Sequence, residues 1–211
     1  MNPATRHEGG AAPAPMVSDH LALDLLNTRS RTASGEAVEH WHSGGDVLRW
    51  LQQQGIVSPP ADAAVDRDGL LSQAKALRAL AQRLVVQRKE GGGAADPGVL
   101  NEFLHAYRSA PHLERDGEGN LVLTRVACDD TTSSLLGPVA EAVAGLLVEA
   151  DFSRVKQCEH PDCILWFHDR TRARRRRWCS MALCGNRQKA ARFRKRAAAA
   201  ESSPHDGARS S

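Results

Sequence analysis

Apolar residues recur at helical spacing through most of the first 150 positions. The clearest run is Asp68 to Lys89, where Leu70, Leu71, Ala74, Leu77, Leu80, Ala81, Leu84 and Val85 fall three or four apart with Gln, Arg and Lys between them, before the glycines at 91–93 stop it. Shorter helices are predicted on either side. After a cap at Ser18 or Asp19, LALDLLNT places Leu21, Leu25 and Leu26 on one face; alternation at 21, 23 and 25 also permits a strand, and helix is the preferred reading. Asp46 is expected to cap a segment carrying Val47, Leu48, Trp50 and Leu51, ended by Gly55. Asp96-Pro97 opens another with Leu100, Phe103, Leu104 and Tyr107 on its face, and Pro111 closes it. His112 to Cys128 reads as a hairpin around the turn-forming DGEGN, with Leu121, Leu123 and Val126 at strand positions. Thr132 to Asp151 returns to helix, starting or kinking at Gly137-Pro138. The expected fold class is α+β: a mainly helical N-terminal domain with a small β-hairpin or sheet, followed by a smaller C-terminal unit.

The ends break this pattern. Residues 1–17 and the tail ESSPHDGARSS lack periodicity and are expected to be disordered, which places the main domain at 18–153. Ala supplies 32 of the 211 residues and only nine are aromatic, so the core must be small and helix-rich. No run approaches the roughly 20 apolar residues needed to cross a bilayer, and the first 16 positions lack the order of a secretion signal; a cytoplasmic protein without membrane contact is expected.

Charge divides the chain more sharply. Residues 1–153 carry 13 Lys/Arg against 20 Asp/Glu, whereas 154–196 carry 14 against three. A general bias toward Ala, Gly and Arg codons would not confine the positive excess to one end, so the basic segment is a candidate for binding a polyanion.

Four of the five cysteines lie in that same segment. Cys158 and Cys163, then Cys179 and Cys184, form two C-x4-C pairs separated by 15 residues. In a chain without an export signal, clustered thiols point to metal rather than disulfides, and paired loops at this separation suit one tetrahedral structural Zn²⁺. Four thiolates would close the site to water and supply folding energy to a segment too short for its own core. His160 and His168 lie in or beside the loops, but four sulfurs already satisfy the ion. Cys128 stands apart and is expected to be a small buried apolar residue.

The stretch WCSMALCGNRQKAARFRKR, from Trp178 to Arg196, resembles the bacterial CGNR zinc finger, spelled by Cys184, Gly185, Asn186 and Arg187. LALDLLNTR at 21–29, with the acidic helical body after it, resembles the ABATE domain of stress-induced transcription regulators. The resemblance covers about residues 17–197, with the finger at 154–197 and a helix end and tail at 198–211. It implies a zinc-dependent DNA-binding module joined to a regulatory domain, with Cys158, Cys163, Cys179 and Cys184 as ligands and the following basic residues as the nucleic-acid surface.

A treble-clef-like arrangement is then expected: strands at Ile164 to His168 and at Arg177-Trp178, followed by a basic helix from Asn186 to about Ala200. Along it Arg187, Arg194 and Lys195 share one side and Lys189, Arg192 and Arg196 another, with Ala190, Ala191 and Phe193 facing inward. Such a helix fits a major groove. Arg172, Arg174, Arg175, Arg176 and Arg177, between the ligand pairs, are assigned phosphate contacts. Asp24, Asn27, Thr28 and Arg29 interrupt an apolar segment and are the candidate pocket for a small-molecule effector. His40-Trp41-His42 is read as a loop anchored by Trp41. The helix at 132–151 is a candidate homodimer contact, although core packing is its simpler role.

The function expected is a transcription regulator that binds duplex DNA. One alternative is an RNA or single-strand binder stacking bases on Trp166, Phe167, Trp178 and Phe193. Another is a zinc-thiolate redox sensor. With no Gly-rich phosphate loop, His-Glu metal motif or nucleophile-base pair, enzymatic activity is not expected.

Overall fold

The computed structural model describes residues 12–57, 65–92, 96–128 and 131–201. The helical runs form α1 (Leu21–Leu26), α2 (Gly44–Gln53), α3 (Arg67–Lys89), α4 (Gly98–Ala106) and α5 (Thr132–Glu149). Two antiparallel pairs accompany them: β1 (Arg29–Arg31) with β2 (Ala37–Glu39), and β3 (Ser109–Arg115) with β4 (Leu121–Ala127). The C-terminal unit contributes β5 (Val155–Gln157), β6 (Trp166–His168), one π-helical turn at Met181–Gly185 and α6 (Asn186–Glu201). The α+β expectation holds.

Helices α1, α3 and α5 enclose one core. Leu23 and Leu25, Leu70, Leu77 and Val85, and Leu136, Val139 and Val143 are fully buried there. Trp41 and Trp50 close one end edge to face at 5.4 Å, and Arg78 lies over the Trp41 ring. Trp41 is thus the anchor of its loop. Helix α5 runs through Pro138 from Thr132 without waiting for it, and Gly137 is buried where the Tyr107 ring of the preceding segment crosses. A Cβ at Gly137 would lie 2.0 Å from Tyr107 Cγ, so the closeness of α4 and α5 requires glycine. Leu136, Val139, Ala140, Val143 and Leu146 of α5 pack into this core, the simpler of the two roles expected for the helix, while Val148 is exposed.

Several local expectations change. Ser43, not Asp46, caps α2; Asp46 is the third helical residue and closes a capping box back onto the Ser43 amide, at 2.8 Å. Asp66 caps α3, which starts at Arg67, one residue before the Asp68 that the apolar pattern implied. Pro111 lies inside β3 rather than ending α4. In this two-stranded sheet a residue without an amide proton is tolerated at the ladder edge. Leu113, Leu121 and Leu123 on that hairpin are exposed, and so is Cys128, which was expected to be buried.

The mobile ends expected from sequence fall, over 1–11 and 202–211, outside the described residues. Residues 12–17 are irregular chain, yet pinned: the Ala12 carbonyl bonds His40 Nδ1 at 2.8 Å, Ala14 packs on the main core, and Val17 packs on the C-terminal unit. No helix among the described residues is long and apolar enough to cross a membrane.

Candidate metal centre and nucleic-acid interface

Strands β5 and β6 carry the first cysteine pair in the loop between them. The Cys158 amide donates to the Leu165 carbonyl at 2.8 Å, and the Cys163 amide to the His160 carbonyl at 2.9 Å, so the loop is tightly turned before it returns as β6. Of the second pair, Cys179 precedes the π-helical turn and Cys184 lies within it. Ser180 caps that turn through Leu183 N–H at 2.9 Å, while its carbonyl accepts from the Cys184 and Gly185 amides. The hairpin therefore differs from expectation. The partner of β6 is Val155–Gln157, and Arg177 meets the loop at Glu159 instead, its carbonyl accepting the Glu159 amide at 3.0 Å and its guanidinium pairing with the Glu159 carboxylate.

The four sulfurs converge within 4.8 Å of one another, with Cys163 Sγ to Cys179 Sγ at 3.9 Å and Cys179 Sγ to Cys184 Sγ at 3.6 Å. A tetrahedral zinc with bonds of about 2.3 Å sets sulfurs about 3.8 Å apart, so the cluster has the size and donor chemistry zinc takes. Its electrostatics demand a cation as well. Hydrogen bonds from Cys163 and Cys179 hold the Cys158 thiol down at about 2, so it takes the first negative charge. That charge pushes the Cys163 and Cys179 thiols up, and burial pushes Cys184 up to about 12. A dication would lift this mutual opposition. Bound zinc would supply a cross-link between the two loops, and Phe167 and Leu165 form the small apolar cluster beneath.

The docking of this unit explains part of the N-terminal motif. The ladder bonds Cys158 N–H to Leu165 O and Asp169 N–H to Arg154 O bracket the β5–β6 pair, so Trp166 and His168 turn their backbone groups outward. Asn27 meets that edge twice. Its amide donates to the Trp166 carbonyl at 2.9 Å and its carbonyl accepts the Trp166 amide at 2.8 Å. The His168 amide bonds the Ser18 carbonyl at 2.9 Å. The Trp166 ring packs into the N-terminal core rather than the finger.

The four residues expected to form an effector pocket are consequently dispersed. Asn27 is the clasp. Thr28 accepts from Arg78 at 2.9 Å and donates to the Leu25 carbonyl at 2.7 Å, both inside the protein. Buried Asp24 accepts the Ser18 amide at 3.3 Å, and burial raises its carboxyl above the ordinary range. Arg29 alone is exposed, on β1.

The chain matches two family models. One, ABATE, described as "Putative stress-induced transcription regulator", covers residues 19–150. The chain belongs to this family. The other, the CGNR zinc finger, covers residues 154–197 and so spans all four cysteines. No curated protein matches the chain.

Within this ABATE–CGNR chain the arginine loop separates into two kinds of residue. Arg176 was expected to contact phosphate and does not face outward. Its guanidinium bonds the Val17 carbonyl at 2.8 Å, Asp19 at 3.1 Å, the Trp178 carbonyl at 3.1 Å and the Cys179 carbonyl, and lies 4.4 Å over the Phe167 ring. Arg177 pairs with Glu159 and stacks on Trp178, and Arg174, at a left-handed φ of 53°, pairs with Asp151 at 3.2 Å. Arg172 and Arg175 are exposed, with no ion pair or hydrogen bond among the described residues.

The loop is organised by Asp169, a residue the motif reading passed over. Fully buried, it accepts from Lys156 Nζ at 2.7 Å, the Thr171 hydroxyl at 2.6 Å and the Arg176 amide at 3.0 Å. Burial alone would raise its pKa; the ammonium and these donors outweigh that and hold the carboxyl well below the usual range. Its sequence signal was an acid standing alone in a run of bases.

Helix α6 departs furthest from expectation. Arg187 is half-buried and donates to the Ala33 carbonyl at 3.0 Å, tying the start of the helix to the β1–β2 turn. Beyond Gln188 every described side chain is exposed: Ala190 and Ala191 make no inner contact, and Phe193 is 73% exposed. Lys189, Arg192, Arg194, Lys195 and Arg196 have no ion pair or hydrogen bond among the described residues. The stacking set is also divided, since Trp166 and Phe167 are 5% and 0% exposed.

Proposed function

We propose that this chain is a non-catalytic, cytoplasmic transcription regulator whose zinc-held finger binds duplex DNA, with α6 in the major groove and Arg172 and Arg175 on flanking phosphates. The observation that carries the reading is the cationic helix α6, which leaves the body of the protein with its charges unpaired. A single helix without an apolar contact is marginal in water, and like charges three or four apart weaken it further. A polyanion removes that penalty, and a solitary helix is the element a major groove admits. Burial of Trp166 and Phe167 argues against the single-strand alternative, because neither ring can receive a base.

Duplex DNA, single-stranded DNA and structured RNA, each titrated into zinc-loaded protein over a range of salt, test the proposal. Neutralising about five phosphates gives a log-log salt slope of roughly −4.5, with duplex preferred. A flat slope, or preference for single strands, overturns it.

A further inference from the structure

The finger and the N-terminal domain enclose a cleft of about 440 Å³, within the range of roughly 300–1,000 Å³ that small-molecule sites occupy. Its charge is out of balance. At its floor Arg78 is satisfied, bidentate to Glu39 at 2.8 and 2.6 Å. Arg29 from β1 and Lys75 from α3 also line the cleft, and among the described residues neither has an ion pair or hydrogen bond. Glu39 feels the field of Lys75, but its two oxygens are committed to Arg78. The neighbouring opening beside α2 differs in this respect, since its Arg49 is paired with Asp46.

The remaining wall is mixed. Leu26, Ile164 and the 5% of Trp166 left exposed are apolar, and Gln82 and Gln157 supply amides. The geometry points to a binding site for a small carboxylate with a compact apolar or aromatic body, its anionic end between Arg29 and Lys75 and its body against Ile164 and Trp166. The site deepens the regulatory reading without needing DNA. Gln157 immediately precedes Cys158 and Ile164 immediately follows Cys163, so an occupant touches both ends of the first ligand loop while resting on α3. Occupancy would add a tie between the finger and the N-terminal domain beside those made by Asn27 and Ser18.

The test uses zinc-loaded full-length protein with benzoate and, separately, inorganic phosphate as probes, followed by backbone-amide and indole resonances. Saturable benzoate shifts at Gln157, Ile164 and Trp166 are expected, with phosphate at least about tenfold weaker, equivalent to about 1.4 kcal/mol. Lys75→Met and Arg29→Gln should each weaken benzoate severalfold while leaving the thermal midpoint in place, because neither side chain has a partner to lose among the described residues. Absence of saturable shifts, indifference to both substitutions, or phosphate binding as well as benzoate overturns the site. Displacement of benzoate by duplex DNA would also overturn it, assigning these cations to the nucleic-acid surface instead. No DNA enters the primary titration, so failure of the duplex-binding proposal leaves its outcome readable.

Discussion

Replacing Asn27 with Ala should unlatch the finger from the domain that carries it. Asn27 is fully buried and satisfies both backbone groups of Trp166, at 2.8 and 2.9 Å. Truncation strands one buried N–H and one buried carbonyl, each costing about 1–3 kcal/mol, for a total of about 2–6 kcal/mol. A stable domain has only about 5–15 kcal/mol in hand, so the effect is large. Asn27→Leu fills the volume but leaves the same two groups unpaired, and it separates lost hydrogen bonding from lost packing. Asn27→Asp keeps an acceptor for the Trp166 amide but sets an oxygen against its carbonyl. Urea unfolding in excess zinc, followed in parallel by tryptophan fluorescence and far-ultraviolet circular dichroism, is the assay. The two signals should part in the Ala and Leu variants: the share of the fluorescence from Trp166 and Trp178 should change at lower urea, while the share from Trp41 and Trp50 follows the helical dichroism. If both variants unfold in one transition within about 0.5 kcal/mol of the parent, the size of an ordinary surface substitution, the clasp does not hold the two units together.

Arg176→Ala should destabilise the finger by about 2 kcal/mol or more through its lost carbonyl and carboxylate bonds, whereas Arg175→Ala should leave the melting temperature unchanged and flatten the salt slope of DNA binding by about 0.9; thermal melts and binding isotherms on both variants check this. Chelating zinc should abolish protection of the four cysteines against thiol reagents while most helical dichroism, which comes from α1–α5, remains. Acid should loosen the junction before it unfolds the core. His20 and His168 meet edge to face at 6.5 Å, and neither ring nitrogen of His168 has a partner among the described residues. Burial lowers both pKa values first, with His168 and Arg170 adding to the effect on His20, and Arg170 and Arg154 on His168; Glu149, Asp151 and Asp169 oppose it. Because the unfolded chain protonates first, stability present above a pH of about 6.5 is lost as pH falls below it. In excess zinc, His168→Phe should make that decline shallower, and an unchanged slope between pH 7 and about 5.5 refutes the assignment.

The elements that periodicity specifies were legible. The α3 pattern, the α5 pattern and the 15-residue separation of the cysteine pairs each follow from local rules, and the structure repeats them. What escaped was non-local. The strand paired with β6 lies before the first cysteine, not after the arginine loop, because Val155 carries the apolar side that the N-terminal core needs. Asn27 looked like a pocket residue because a polar group in an apolar segment has two meanings, a ligand contact or a buried backbone partner, and only the position of Trp166 decides between them. Asp169 and Lys156 were hidden by counting charge instead of pairing it.

Pairing changes what the basic segment can do. Its excess positive charge first suggested a broad polyanion surface, with five loop arginines and six helix cations acting together. Lys156, Arg154, Arg174, Arg176 and Arg177 instead spend their charge on carboxylates and carbonyls that build the loop, and Arg187 fastens the helix to the β1–β2 turn. Among the described residues the free cations are then Arg170, Arg172 and Arg175 on the loop and five residues on α6. A wide cationic plate would bind any polyanion with little regard to shape. Two short groups, one on a rigid loop and one along a single helix, can both be neutralised only by phosphates whose spacing matches them. On the proposed DNA-binding reading, the same arginine content therefore makes a narrower reader than composition alone implies, because bonding within the finger has already consumed the charges that would have made it indiscriminate.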